Sequence, residues 1–117
     1  MKMRIHRGTM VGAAVAALVA FPLFSGLALA ESKHMSEAVE HAKEAVEHGK
    51  QGHADVLVNH GTEAVKHARL AQKDTKNPHL DEGVKHLDEA VAHGKQGHAD
   101  VATQHAEQAV THLNAVK

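Results

Sequence analysis

Apolar residues recur along residues 33–116 with the spacing of amphipathic helices. The segment 41–47, His-Ala-Lys-Glu-Ala-Val-Glu, is typical, with Ala42, Ala45 and Val46 as its apolar positions. On a helix that turns about 100° per residue, these side chains form one stripe roughly 100° wide. Such a stripe predicts a helix with one face on a protein core. The seven-residue repeat indicates neighbouring helices that cross at a shallow left-handed angle.

Segments rich in glycine or proline divide this pattern into four pieces. Residues 49–52 and 94–97 share the sequence Gly-Lys-Gln-Gly, which predicts two short turns. Asn77 and Pro78 have the pattern of a helix N-cap followed by proline at the first helical position. We therefore predict helices over 33–48, 53–73, 78–93 and 98–116.

The two halves of this region are a tandem duplication. The sequence of residues 48–56 returns unchanged at 93–101, an offset of 45 residues. Each half predicts an αα-hairpin, so the fold class is all-α. We expect an up-down-up-down four-helix bundle of two tandem hairpins, with repeats at about 32–73 and 77–117. Its core of Ala, Val and a few Leu is thin, which predicts marginal stability.

The first thirty residues have the pattern of an export signal. Basic residues precede an apolar run over 10–30 that ends in Ala-Leu-Ala, which predicts cleavage before Glu31. The run is long enough to span a bilayer, so an uncleaved anchor is the alternative. Pro22, Gly26 and the small residues at its end favour cleavage. We thus expect a periplasmic protein without stable membrane association after the signal is removed.

Removal of the signal changes the composition. Lys2, Arg4 and Arg7 are three of the 13 basic residues, so ten remain against 14 Asp and Glu, a formal charge of −4. Both Phe lie in the signal, and the chain has no Trp, Tyr or Cys. An acidic domain without aromatic residues is a poor candidate for nucleic-acid binding. The absence of Cys excludes disulfides and thiol chemistry.

Histidine is the residue with the most regular spacing. Twelve of the 13 histidines follow steps of seven residues, with a step of five at each predicted turn and one step of 12 between the two halves. They are His34, His41, His48, His53, His60, His67, His79, His86, His93, His98, His105 and His112. This regularity favours a function that uses imidazole chemistry.

Histidines seven apart on one helix are separated by about 10.5 Å along its axis. A metal ion lies only about 2 Å from an imidazole nitrogen, so these histidines need other partners to share an ion. Carboxylates three or four residues away on the same helix are one source. They are Glu37, Glu44, Glu63, Glu82 and Glu89.

The partner helix of each hairpin is the other source. In an antiparallel pair, His34, His41 and His48 stand opposite His67, His60 and His53, and the second half repeats this arrangement 45 residues later. If both histidine stripes face the contact between the two helices, each hairpin has three His–His pairs. That gives up to six candidate sites, but the sequence leaves open whether the stripes meet or both point away.

Imidazole with carboxylate suits Cu²⁺, Ni²⁺ and Zn²⁺, and Cu²⁺ generally binds tightest of the three. Cu⁺ is a weak candidate without thiolates, and Ca²⁺ and Mg²⁺ prefer sites made of oxygen. Because protons compete for the same nitrogens, affinity should fall below about pH 6.

A non-enzymatic protein is expected, because the chain has neither a Cys-x-x-Cys-His haem motif nor a His-Glu-x-x-His zinc-protease motif. Two alternatives to metal storage stay open. One is a pH-responsive structural or stress protein of the periplasm, since imidazole changes charge near neutrality. The other is a chaperone that delivers metal to a partner protein.

The segment Glu44–Val56 and its copy at Glu89–Val101, in helices with histidine heptads behind a signal sequence, resemble the small periplasmic metal-binding protein family (SmbP-like) of Gram-negative bacteria. The resemblance covers essentially the whole chain after the signal. It implies a monomeric four-helix bundle that binds several divalent transition-metal ions, Cu²⁺ prominent among them, for buffering or detoxification. It also implies that the twelve histidines are the ligands.

Three positions depart from the acidic pattern of the heptads. Val56, Val101 and Gln108 stand where other heptads have Glu. This implies weaker or differently composed sites at His53, His98 and His112.

Overall fold

The computed structural model describes residues 33–117, which contain four α-helices and no strand. Helix α1 covers 33–50, α2 Ala54–Asp74, α3 Pro78–Lys95 and α4 Ala99–Asn114. The all-α prediction is confirmed, and each helix begins and ends within two residues of its predicted bounds. The predicted signal peptide, 1–30, lies outside the described residues.

The turn between α1 and α2 explains why α1 runs past its predicted end at residue 48. Gly52 has φ of +81°, so it is the residue that leaves the helical conformation. The His53 N–H donates to the His48 carbonyl at 2.9 Å, and the Gly52 N–H donates to that of Gly49 at 3.0 Å. This pair of bonds is the Schellman helix ending, and Gly49 stays inside the helix. The turn between α3 and α4 repeats the arrangement, with φ of +80° at Gly97.

The start of α3 agrees with the sequence pattern. The Asn77 side chain accepts a hydrogen bond from the His79 N–H at 2.9 Å, and Pro78 is the first helical residue. One of the free N–H groups at the helix start is thereby satisfied, and proline supplies no donor that would need a partner.

The core consists mainly of alanine. Fully buried Ala side chains occupy the predicted stripe on α1, α2 and α4, and the four largest fully buried side chains are Leu57, Leu80, Leu87 and Leu113. Residues from all four helices share this core. Of the predicted Ala, Val and Leu core, the described residues bury mainly Ala and Leu. Val84 is the one buried valine among them, and other valines pack against the core partly buried.

Successive helices pack side by side and antiparallel. Between α2 and α3, Arg69 donates to Asp88 at 2.8 Å and Gln72 to Asp81 at 2.7 Å. Lys50 near the end of α1 is 3.2 Å from Glu107 of α4. No helix among the described residues combines the length and the apolar character needed to cross a bilayer.

Candidate metal-binding sites

The two histidine stripes of each hairpin face each other across the contact between its helices, which we call the seam. Four cross-seam pairs bring Nδ1 atoms to 3.3–3.4 Å of one another. They are His34–His67, His41–His60, His79–His112 and His86–His105. The question that the sequence left open is thus answered in favour of facing stripes.

The position of each ring follows from the residues beside it. Ala42 and Ala45, one and four positions after His41, are fully buried, so the histidine lies at the border between core and solvent. The His67 and His60 side chains are 19% and 24% exposed. The rings are therefore held by the core on one side and open to an incoming ion on the other.

Carboxylates approach these pairs from the same helices. Glu37 Oε2 lies 3.0 Å from His67 Nδ1, and Glu89 Oε2 lies 2.9 Å from His105 Nδ1. Glu44 stands between both rings of its pair, 3.6 Å from His41 Nδ1 and 3.7 Å from His60 Nε2. Each carboxylate adds a negative charge and an oxygen ligand to two imidazole nitrogens.

The described residues form four groups in which three side chains each offer a ligand atom within 4.8 Å of the others. The groups are His34–Glu37–His67, His41–Glu44–His60, Glu82–His86–His112 and His86–Glu89–His105. Every member of these groups belongs to the ligand set predicted from the sequence.

The spacing of the nitrogens suits a transition-metal ion. An ion about 2.0–2.1 Å from each of two nitrogens, in tetrahedral geometry, places those nitrogens about 3.3–3.4 Å apart. The Nδ1 atoms of the four cross-seam pairs already have that separation. In the metal-free protein, the Nδ1–H of one neutral ring can donate to the Nδ1 of the other, and an ion would take the place of that proton.

Several predicted ligands lie outside the four groups. The pairs at the turns, His48–His53 and His93–His98, have ring centroids 6.0 and 6.1 Å apart. The Nδ1 atoms of His48 and His93 are buried and have no hydrogen-bond partner among the described residues. These turn pairs can offer imidazole nitrogens, but within residues 33–117 no carboxylate completes a three-ligand group around them.

Two further predicted ligands are placed differently. His79 pairs with His112 but belongs to none of the four groups. Glu63 Oε2 lies 3.9 Å from Lys66 Nζ, so this carboxylate forms an ion pair with that lysine. Among the predicted carboxylates, it is the one that the described structure leaves outside every group.

Ring contacts also run diagonally between successive cross-seam pairs, which the sequence reasoning missed. His67 stacks on His41 at 5.8 Å and His60 on His48 at 5.5 Å, both with interplanar angles of 3°. Helical side chains lean toward the N-terminus of their own helix, so those of α2 lean toward the turn and reach the next pair. This lean was the signal that could have predicted the diagonal contacts.

Together these contacts join the twelve rings into two continuous histidine rows, one per hairpin, with 5.4–6.1 Å between neighbouring centroids. In the first row the order is His34, His67, His41, His60, His48 and His53, and the second row has the same order 45 residues later. Each hairpin therefore offers an ion a series of adjacent positions.

Comparison with known proteins agrees with this geometry. The family model described as small metal-binding protein matches residues 9–116 of the chain. A search of curated proteins finds no match. The family match confirms the resemblance found in the sequence.

Proposed function

Because the chain belongs to the small metal-binding protein family, we propose that it binds several divalent transition-metal ions and buffers or sequesters them. The observation that carries this proposal is the repeated cross-seam group of two histidines and one glutamate. Such groups occur in both hairpins and each offers two neutral nitrogens and one anionic oxygen. That donor set suits Cu²⁺, Ni²⁺ and Zn²⁺.

Cu²⁺ is the ion we expect to bind tightest, because it stands highest among the divalent ions in the affinity order for nitrogen and oxygen ligands. The Nδ1 separation of 3.3–3.4 Å is that of a tetrahedral site and suits Zn²⁺ without adjustment. A square-planar Cu²⁺ needs two adjacent ligand nitrogens to be about 2.9 Å apart, at Cu–N bond lengths of about 2.0–2.1 Å. The partly exposed histidine side chains can supply a movement of that size.

We propose that the chain stores metal ions and does not act as an enzyme. Sites of one composition are repeated along both histidine rows, which gives capacity for several ions. Glu37, Glu44 and Glu89 are 34–46% exposed, so ions can enter and leave from solvent. Repetition and access to solvent are useful in a buffer, whereas an enzyme concentrates its ligands around one substrate pocket.

The periplasm is the compartment that we propose, on the N-terminal sequence pattern alone. Cell fractionation followed by mass measurement of the purified chain tests it. Recovery from the periplasm of a chain that begins at Glu31 would support the proposal. Recovery of the uncleaved chain in the membrane fraction would contradict it.

Equilibrium dialysis against Cu²⁺, Ni²⁺ and Zn²⁺ at neutral pH tests the binding itself. We expect at least two tightly held Cu²⁺ per chain. Replacement of the four α2 and α4 ligands, H60A/H67A/H105A/H112A, should remove them, while circular dichroism confirms that the helices persist. Fewer than two Cu²⁺ per chain would contradict the proposal. A change in helicity between pH 5 and 7 that a chelator leaves untouched would instead favour the pH-responsive protein.

A further inference from the structure

The two hairpins have the same histidine spacing, yet their three-ligand groups are arranged differently. In the first hairpin, the groups built on His34 and His41 have no residue in common. In the second hairpin, both groups contain His86. The duplicated sequence thus gives two separate groups in one copy and two overlapping groups in the other.

The carboxylates account for this difference. Glu37 lies 3.0 Å from His67 Nδ1 and completes the pair of His67 with His34. Its counterpart Glu82 is exposed, and it groups with His86 and His112 instead of with the pair His79–His112.

His86 is already engaged by its own cross-seam partner. Its Nδ1 lies 3.4 Å from His105 Nδ1, in the group that Glu89 completes. Its ring also stacks on that of His112, at 5.5 Å between centroids and 12° between planes. One imidazole is thus shared between the diagonal group and the cross-seam group.

A neutral imidazole has one nitrogen with a free lone pair and one that carries a proton. A neutral His86 can therefore ligate one ion at a time. The first hairpin has no such restriction, because each of its two groups has its own two histidines.

We propose that the second hairpin holds one tightly bound ion, which exchanges between two overlapping positions, whereas the first hairpin holds two. The inference rests on the proposed metal-binding function and concerns how the ions are distributed. An ion in the second hairpin can pass to the diagonal position without leaving His86.

Native mass spectrometry of the full chain at a buffered concentration of free Zn²⁺ tests the distribution. The variant H60A/H67A removes the α2 ligands and leaves the second hairpin to bind. The matched variant H105A/H112A makes the same change 45 residues later and leaves the first hairpin to bind. We expect one more tightly held Zn²⁺ in H105A/H112A than in H60A/H67A. The turn pairs are equivalent in the two variants and do not affect this difference.

A second substitution in each variant identifies the shared residue. H86A in the H60A/H67A background should abolish tight binding, whereas H41A in the H105A/H112A background should leave one ion. Equal counts in the two parent variants, or an ion that survives H86A, would overturn the inference. If the unsubstituted chain holds no Zn²⁺ in the same measurement, the proposed function itself fails. His→Gln versions of the same variants replace any Ala variant that loses helicity.

Discussion

A histidine at the seam is followed by buried apolar side chains. His41 is followed by the buried Ala42 and Ala45, and His86 by the fully buried Leu87. The paired Nδ1 atoms are 3.3 Å apart at His41 and 3.4 Å apart at His86. What these neighbours share is burial, not small size, and burial of the neighbour holds each ring at the border of the core.

The glutamates that belong to the three-ligand groups should contribute to metal affinity, and Glu63, which lies outside them, should not. We expect E37Q and E89Q each to lower the metal affinity of one site, because the anionic oxygen is lost. Loss of an outer-shell partner already lowers affinity by roughly tenfold, so the loss here should be at least as large. E63Q is the matched control, because Glu63 faces Lys66. Competition with a chromophoric chelator measures these affinities. An equal loss in E63Q would show that general acidity, and not the position of the carboxylate, sets affinity.

We expect Nδ1 to be the ring nitrogen that binds. Nδ1 is the atom that faces the partner in the pairs His34–His67 and His86–His105. Nitrogen-15 NMR of the histidine rings should therefore show the largest shift changes at Nδ1 when diamagnetic Zn²⁺ is added. Changes confined to Nε2 would mean that the rings turn over on binding.

At the scale of the helix, Gly49 and Gly94 allow close packing, although the sequence predicted them as parts of turns. A Cβ on Gly49 would overlap Thr103 Oγ1 and would lie 2.7 Å from Leu57 Cδ1. A Cβ on Gly94 would lie 2.7 Å from Val58 Cγ2. These glycines are inside helices, where alanine is otherwise the better helix former. Because these positions have no side chain, α1 can approach α4 closely and α3 can approach α2.

We expect G49A to destabilise the fold by about 1–2 kcal/mol, because the overpacking penalty exceeds the gain in helix propensity. Chemical denaturation monitored by circular dichroism measures the change, with the exposed Q51A as control. In a double-mutant cycle, T103A should recover part of the loss, since it removes the oxygen nearest the new methyl group. A G49A variant as stable as the parent chain would contradict the close approach.

The helices were predictable from sequence to within two residues, and their ends show where the prediction stops. Asn77 and Pro78 act locally, so their pattern alone located the start of α3. In the turn 49–52 either glycine could have ended α1. The choice depends on Thr103 and Leu57, which contact Gly49 from other helices, and no local pattern contains that contact.

The candidate site was also predictable only in part. Which histidines stand opposite each other follows from antiparallel helices and the seven-residue spacing. Whether the opposite rings face each other does not follow, because it depends on how each helix is rotated about its axis. The direction in which helical side chains lean explains the diagonal contacts. The grouping of the carboxylates does not follow, because Glu37 and Glu82 occupy equivalent positions in the duplication yet join different histidines. Which histidines a flexible, partly exposed Glu joins depends on its surroundings in each hairpin.

At the scale of the whole molecule, each of the four three-ligand groups of the described residues lies within one hairpin. The two hairpins meet instead through the Ala and Leu core and through side-chain pairs such as Arg69–Asp88 and Lys50–Glu107. A bound ion would therefore join two helices within a hairpin, whereas the contact between hairpins depends on core packing.

Metal should stabilise this thin-cored bundle. An ion at 100 times its Kd adds about 2.7 kcal/mol per site, provided that the unfolded chain does not bind it. In a domain of this size, each kcal/mol corresponds to about 4–8 °C in Tm. We expect thermal melts to shift upward by at least 10 °C with excess Zn²⁺ and to return to the original Tm with EDTA. An unchanged or lowered Tm at saturating Zn²⁺ would mean that binding does not favour the native fold.

Anomalous X-ray diffraction from zinc-loaded crystals, recorded on either side of the zinc absorption edge, tests the central claim most directly. We predict anomalous peaks at the seams, between His34 and His67 and between His86 and His105, about 2.0–2.1 Å from ring nitrogens of both helices. Peaks found only on exposed carboxylates, or only between neighbouring molecules, would contradict the account.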